Sequence, residues 1–554
     1  MKKTLLNVIE DNIKKIIKNN FSLKIDKVVV DKTKDINMGD LYTNAAMKLG
    51  SFVKKPVNDI AKTLIDELFK LNIFENIIFK NGFINMFLSN KTRFLILKNA
   101  IKFKKDYGQF NQKKISYNIE FVSANPTGFL HIGHARNAAL GMTLSNVWKK
   151  FGIAVNNEYY VNDAGSQIDK LGMSVFTRYL QKNKIKVKMN KDWYQGEEPK
   201  IIAKEINDIY KKKFIKYRCE NEKINNKKVF DFFKDYSKNA MLSYIKSDLS
   251  KFKIRFKKYF FESTIYQKDL INKTLKKLKN YTYLNDGAIW LKTANFYDVK
   301  DRVIIKSNKS PTYFMPDIAY HDIKFSRGYN KIFNIFGADH GTYVSSIKSA
   351  IKCLGHNSEK LDVIIMQMVK LSKNGEEFKM SKRSGNSLTL RDLIKAIGVD
   401  AARWSLITQA ADTHLEIDVE KFSSENQESD IYYIFYAFAR INKLINKHKK
   451  YNLFVDNVNL LNLDIEKELI NAIFYYPQTI ANVAKYYEIQ KIPTFILSFA
   501  SLINKYYSQV RIVLEENKEL STQRIFLLNA CKQVLISGLD LMDIKPKNKL
   551  YVKK

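Results

Sequence analysis

Ile115-Ser116-Tyr117-Asn118-Ile119-Glu120-Phe121, then Ser123-Ala124-Asn125-Pro126-Thr127-Gly128, then His131-Ile132-Gly133-His134 leading a run that extends to Lys150 is the stretch that decides the fold. The first part is strand-like in length and in its β-branched and aromatic content, and the second is a turn. From His134 to Lys150 the apolar residues recur at helical spacing. Strand, turn and helix in that order open an α/β unit of the nucleotide-binding kind.

Outward from this stretch, strand-like runs at Gly287 to Leu291, Lys331 to Phe336 and Leu361 to Met368 alternate with helical segments up to about Thr413. The intervening segment, Asn183 to Lys279, is Lys-rich and helical in period, as in Val229-Phe230-Asp231-Phe232-Phe233, and reads as an insertion. The first hundred residues combine a helical opening with strand-like runs at Lys27 to Val30 and Gly82 to Leu88, a small α/β domain. Beyond Phe422 long amphipathic helices dominate, interrupted only by Pro477 and Pro493 before the final turn, which predicts a helical bundle.

Length and composition agree with several folded units. The 554 residues imply roughly three or four cores, and 45% apolar with 13% aromatic residues excludes wholesale disorder. Against 56 Asp and Glu stand 94 Lys and Arg, a net charge of +38 whose field attracts polyanions such as RNA or a membrane surface. Mutational bias toward Lys, Asn, Ile, Tyr and Phe explains the same excess, so charge permits RNA binding without requiring it. Cys219, Cys353 and Cys531 have neither zinc-ligand nor disulfide spacing, which points to a reducing cytoplasm and no bound zinc. Charged residues from Glu10 to Lys15 interrupt the apolar start before a signal-peptide core forms. The longest uncharged apolar stretch, Ile492 to Asn504, falls short of the roughly 20 residues that span a bilayer, so no membrane anchor is expected.

Two short motifs carry chemistry. His131-Ile132-Gly133-His134 starts a helix, where unpaired backbone N–H groups and the positive dipole end favour phosphate, imidazoles add donors, and Gly133 leaves room for a ring or ribose. Taken alone it reads equally well as a pair of surface or capping histidines. Phe378-Lys379-Met380-Ser381-Lys382-Arg383-Ser384-Gly385-Asn386 is a basic loop able to fold over a triphosphate and stabilise the charge of departing pyrophosphate. Alone it is an ordinary solvated loop; the pairing and order of the two motifs in one α/β unit favour the phosphate reading.

The pair resembles the HIGH and KMSKS signatures of class I aminoacyl-tRNA synthetases, and the surroundings resemble the arginyl family. The resemblance rests on Glu120 to Gly128 with the following His-Ile-Gly-His-Ala-Arg-Asn-Ala, on Asn162-Asp163-Ala164-Gly165 with Gln167, and on Asp301-Arg302-Val303. It extends to Thr312-Tyr313-Phe314, to Asp317-Ile318-Ala319-Tyr320-His321 and to Gly337-Ala338-Asp339-His340. Met38-Gly39-Asp40 with Thr43-Asn44-Ala45, and Tyr436-Ala437 with Ala439-Arg440, extend it to both ends. It implies an α/β fold: a Rossmann-type catalytic domain over about 111–415 with a helical insertion near 180–285, an N-terminal α/β tRNA-contacting domain over about 1–110, and an all-α anticodon-binding bundle over about 416–554.

The implied function is an arginine–tRNA ligase, which activates L-arginine with ATP to arginyl-adenylate and esterifies it to the 3'-terminal adenosine of tRNA(Arg). Mg2+ accompanies ATP, the protein is a cytoplasmic monomer, and adenylate formation requires bound tRNA. On this resemblance His131, His134, Lys379 and Lys382 are catalytic, and Gly133, Met380 and Ser381 also hold ATP. Gly128 and Phe129 stand where some members carry a lysine before the first signature, so Lys382 carries the catalytic charge. Glu120, Ser123, Asn125, Tyr313, Asp317 and His340 bind arginine; Asn44, Tyr432, Tyr433, Tyr436 and Arg440 contact tRNA. Glu120 has a structural alternative, an ion pair with a lysine, and Tyr313 another, packing in the core. The chain departs from the family pattern at Ser429-Asp430, where Asn-Pro is usual, at Phe435 and Phe438, where Gln and His are common, and at Gly341-Thr342, where a second His commonly follows. A small-molecule nucleotidylyltransferase and a catalytically silent RNA-binding relative are the rivals; the length and helical tail disfavour the first, the intact signatures the second.

Overall fold

The computed structural model describes residues 3–111, 114–217, 224–373, 376–377, 388–422, 429–448 and 455–548. The chain divides into two compact units, one of Lys114–Ser145 and Ile153–Ser424, the other of Met1–Lys113, Asn146–Gly152 and Glu425–Lys554.

The first of these is built on a five-stranded parallel sheet in the spatial order Leu361–Met366, Lys331–Gly337, Ser116–Glu120, Ala154–Val161, Lys258–Phe261. Successive strands run outward from Ser116–Glu120 to one edge, and then from Lys331–Gly337 to the other. The order reverses between these two neighbours, and the carboxyl ends flanking such a reversal are where open α/β sheets bind ligands. Helices Phe314–Ser326 and Tyr343–Cys353 bury Met315, Ile318, Ile347 and Ile351 with Ile332 and Leu361 of the sheet.

The segment read as an insertion is helical at Glu197–Tyr210 and Lys227–Lys251, and these pack with Ser166–Lys182 around Tyr179, Ile202, Ile206 and Phe233. Gly172 permits this, because a Cβ there would lie 2.9 Å from the Lys234 Cα. The segment then returns to the sheet: Lys258–Phe261 is its edge strand, too short at four residues to show an alternating pattern. Ala288–Leu291, predicted as strand, instead joins an antiparallel sheet between Thr282–Asn285 and Arg302–Ile305. A third small sheet places Val369–Lys373 between Glu376–Glu377 and Leu415–Asp418.

The other unit contains an antiparallel sheet in the order Val30–Lys32, Leu41–Thr43, Phe83–Leu88, Phe74–Lys80. The first strand starts at Val30, three residues after the predicted start at Lys27. Helix Leu5–Phe21 is capped by the Thr4 side chain and buries Ile9, Ile13, Ile16 and Ile17 at helical spacing. Four further helices, Asp430–Lys447, Asp464–Tyr486, Lys491–Gln509 and Lys518–Asp540, form the bundle in the same unit. Inside it Glu466 accepts from Arg524 Nε at 2.9 Å and Tyr506 OH at 3.0 Å, so its buried charge is paired.

Candidate functional site

A cavity of about 1770 Å³ opens at the carboxyl ends of Ser116–Glu120 and Lys331–Gly337, where the sheet order reverses. Glu120, Ser123, Asn125, His131, Gly133, His134, Tyr313, Asp317 and His340 all line it. These residues therefore converge on one concave surface although more than two hundred positions separate the outermost of them.

Past the central strand the chain turns sharply. Val122 and Ser123 have φ of 66° and 40°, a left-handed pair that is costly for a β-branched valine and is held by its surroundings. The Val122 amide donates to Asn137 Oδ1 at 2.7 Å, and Asn137 Nδ2 donates to the Ile335 carbonyl at 3.0 Å. One side chain of the signature helix thus pins both strands that flank the reversal. Ser123 Oγ donates to Glu120 Oε1 at 3.0 Å and accepts from the Tyr160 amide at 3.1 Å.

At the head of helix Ile132–Lys150 the backbone amides are not all unpaired, as the sequence alone implied. His131 Nδ1 accepts from the Gly133 and His134 amides at 3.1 and 3.4 Å, and His134 Nδ1 accepts from the His131 amide at 3.3 Å. The rings stack with centroids 3.6 Å apart. A Cβ on Gly133 would lie 2.9 Å from the His131 ring, so that glycine accommodates the ring itself. With both Nδ1 atoms accepting, each ring carries its proton on Nε2. Burial lowers the pKa of His131, and burial together with the neighbouring ring lowers that of His134 to about 3.

Lys379, Met380, Ser381 and Lys382 lie outside the described residues, but the chain on either side of them is placed. The Ile132 amide donates to the Leu388 carbonyl at 3.0 Å, the Leu390 amide donates to the Leu130 carbonyl at 2.7 Å, and His131 bridges Thr389. On the other side Lys373 pairs with Glu376. Thr389 and Asp392 form a capping box on the helix Leu390–Ile397, and Arg391 lies 3.7 Å over the Phe129 ring while donating to Asp248 at 2.7 Å.

The acidic wall is Glu120, Asp317 and Glu262, the last of which sequence reasoning missed. Glu120 is buried and takes the Lys324 ammonium, so its lysine pair and its place on the cavity coexist. Lys324 also donates to Asn334 Oδ1 at 2.8 Å, Asn334 Nδ2 meets His321 Nε2 at 2.8 Å, and His321 Nδ1 lies 3.1 Å from Asp317 Oδ1. Asp317 also accepts from the Tyr343 hydroxyl. Burial pulls the Asp317 pKa up, but His321, Tyr343 and Lys324 pull it further down. Glu262 is pushed above the ordinary carboxylate range, chiefly by burial, against hydrogen bonds from Tyr160 and Tyr266. Lys324 and His321 had a signal in the sequence, since 317, 321 and 324 share one helical face; Glu262 and Tyr343 had none.

Tyr313 does not pack in the core; it is 91% exposed, at the mouth of the cavity. Asn125 donates to Gln167 Oε1 at 2.8 Å, and His340 is half exposed beside Phe336 and Tyr343. In the other unit Asn44 follows strand Leu41–Thr43 as the N-cap residue of helix Ala45–Val53, beside a small cleft, and makes no side-chain cap bond. Arg440 lies 4.6 and 4.3 Å over the rings of Tyr436 and Tyr507, and Tyr432 stacks on Tyr436. Tyr433 is half-buried on the same helix. Phe435 and Phe438 face the core, and Ser429 caps the helix by accepting from the Tyr432 amide at 3.2 Å. These departures from the family pattern are thus helix start and core.

Known families match along the chain. Residues 3–88 match the arginyl tRNA synthetase N-terminal domain, 96–428 the catalytic domain of class I (R) tRNA synthetases, and 434–550 the DALR anticodon binding domain. The arginine–tRNA ligase of Malacoplasma penetrans is 53% identical over 99% of both chains. The chain belongs to the arginyl-tRNA synthetase family. Another synthetase, the arginine–tRNA ligase of Ureaplasma parvum, is 42% identical over 95% of this chain and 96% of its own. Thermus thermophilus arginyl-tRNA synthetase shares the fold with a TM-score of 0.78 at 17% identity, over 99% of this synthetase and all of its own chain.

Proposed function

We propose that this chain is an arginine–tRNA ligase whose cavity holds arginine and ATP together. Arginine lies with its guanidinium toward Asp317, Glu262 and Tyr313, and its amino group toward Glu120, Ser123 and Asn125, with His340 at the rim. Two carboxylates and a phenol suit a planar, five-donor guanidinium far better than an ammonium, which separates arginine from lysine. ATP lies along His131, Gly133 and His134, beneath a loop carrying Lys379, Met380, Ser381 and Lys382.

The arginine carboxylate attacks the α-phosphorus and pyrophosphate leaves, so the protein's task is alignment and charge stabilisation. Neutral His131 and His134 donate from Nε2 to phosphate oxygens, and the lysines of the loop balance the departing pyrophosphate. His131 Nδ1 covers the Gly133 and His134 amides, so a phosphate that reaches those amides displaces the ring. Magnesium arrives with ATP as part of the substrate and neutralises its phosphates. The adenylate then passes its arginyl group to the terminal ribose of tRNA(Arg), while Asn44, Tyr432, Tyr433, Tyr436 and Arg440 contact the tRNA through stacking and polar groups. The domain plan over about 1–110, 111–415 and 416–554 belongs to the same reading, as do a single-chain enzyme and a cytoplasmic setting. Cys353 and Cys531 are buried and unpaired, which suits a reducing compartment, and among the described residues no helix is long and apolar enough to cross a membrane.

The observation that carries this reading is the convergence on one cavity of the first signature, the acidic wall, and Leu388 and Thr389, which follow the second signature in the chain. The test is ATP–pyrophosphate exchange with a panel of amino acids, with and without tRNA(Arg). Exchange should depend on arginine and on the tRNA; equal exchange with lysine, cysteine or glutamate would overturn the specificity.

A further inference from the structure

Asp317 is joined to Glu120 by an interior line of polar side chains. Asp317, His321 and Lys324 stand on one face of helix Phe314–Ser326, and Asn334 lies in the adjacent strand as the register partner of Glu120. Lys324 and Asn334 are fully buried and His321 almost so, in the layer where this helix meets the sheet. Buried polar groups in such a layer persist only when each is satisfied.

The direction of each bond can be worked out from Lys324. An ammonium has donors only, so the Asn334 atom 2.8 Å from Nζ is the oxygen, and the amide nitrogen faces His321 Nε2 at 2.8 Å. Nε2 therefore accepts, and the ring proton resides on Nδ1. That nitrogen lies 2.9 Å from the Asp317 carbonyl oxygen and 3.1 Å from Asp317 Oδ1. The Tyr343 hydroxyl supplies a second donor, to Oδ2. The Asp317 side chain is still 27% exposed, on the cavity side.

We propose that Lys324, Asn334 and His321 are positioning residues that act as a one-directional chain of donors, fixing Asp317 as an ionised acceptor for the arginine guanidinium. This rests on the reading of the cavity as the arginine site. The charge of Lys324 is balanced by Glu120, so the chain transmits polarity rather than net charge. Once the donor at its head is removed, the Asn334 amide is free to rotate and offer its oxygen to Nε2. The ring proton then moves to Nε2, and the Nδ1 lone pair confronts the carboxylate. A guanidinium bound in two-pronged geometry loses affinity when its acceptor is turned or protonated.

The test is arginine-dependent ATP–pyrophosphate exchange by the full chain with cognate tRNA. Lys324→Met would strand a buried Glu120, so the informative variants are Asn334→Leu and His321→Leu, with His321→Asn as the conservative substitution. Each leucine variant should raise the KM for arginine about tenfold or more while the KM for ATP stays within about twofold. The double variant should be no worse than His321→Leu alone, because both act through one chain. His321→Asn, which keeps an N–H near the Nδ1 position, should stay within about threefold of wild type. Unchanged arginine KM in the leucine variants, a parallel rise in both KM values, or additive losses in the double variant would overturn the chain. A wild-type protein without arginine-dependent exchange, or Asp317→Asn with an unchanged arginine KM, would overturn the site reading itself.

Discussion

His134 has its Nδ1 occupied by the His131 amide and its ring face against His131, so a second proton would enter beside another imidazole without its solvation shell. Its pKa in the folded chain is lowered to about 3, mainly by burial, from an unfolded value near 6.5. The unfolded chain therefore binds this proton at a higher pH than the folded one, and the stability contributed by the neutral ring is complete above about pH 6.5 and lost as pH falls toward 3. At pH 5 the loss from this one group is at most about 2 kcal/mol. His134→Asn should remove that part of the acid sensitivity, which thermal melts of both proteins between pH 7 and pH 5 will check; parallel melting curves would contradict it. The sequence identified His134 through its motif but not its protonation, because that depends on which atoms of a folded helix start face the ring. The same holds for Glu120, whose alternatives of cavity lining and lysine pairing proved to be one arrangement.

Helix Ile132–Lys150 is held to the layer beneath it by Arg136, which is fully buried and donates to three carbonyls: Gln367 at 2.9 Å, Thr413 at 2.8 Å and Ala410 at 2.7 Å. Gln367 and Met368 line the cavity, so this side chain sets the distance between the signature helix and the opposite wall. Arg136→Met takes a buried donor from those carbonyls, of which that of Ala410 keeps a backbone partner, the Thr413 amide at 3.1 Å, and should cost about 3 kcal/mol. It should also raise the KM for ATP more than that for arginine. Urea denaturation and substrate titrations check this, and an unchanged midpoint would remove the role given to Arg136. Element identity was legible wherever length and periodicity were sufficient, as in Ser116–Glu120, Lys331–Gly337 and the helices after Phe422. It failed for Lys258–Phe261, which is a strand because its neighbour Ala154–Val161 offers a free edge, a property of the sheet and not of four residues. Phe435 and Phe438, which stand where the family commonly has Gln and His, face the bundle core because of their phase on the helix.

Across the unit that joins both ends of the chain, Asp40 accepts from the Leu88 amide at 2.7 Å, Arg93 Nη2 at 3.1 Å and Asn471 Nδ2 at 2.7 Å. One buried carboxylate thus ties the N-terminal sheet to a bundle helix more than four hundred residues away. Asp40→Ala leaves Arg93 buried with only Glu75 at 3.7 Å and should cost about 3 kcal/mol or more. The N-terminal sheet and the bundle should then become open to protease together; opening of one alone would show that they are not one cooperative unit. The chain by itself determined the family, the α/β class, the two signatures and the motif residues that line the cavity, though not Glu262 or Tyr343, because those follow from short patterns whose chemistry is local. Only the tertiary structure decided the polarity of the Lys324 to Asp317 line, the capping of the signature helix by its own histidine, and the union of residues 1–113 with 425–554. Each of these depends on which groups meet when distant segments pack, and burial then fixes donors, acceptors and protons that no local pattern records.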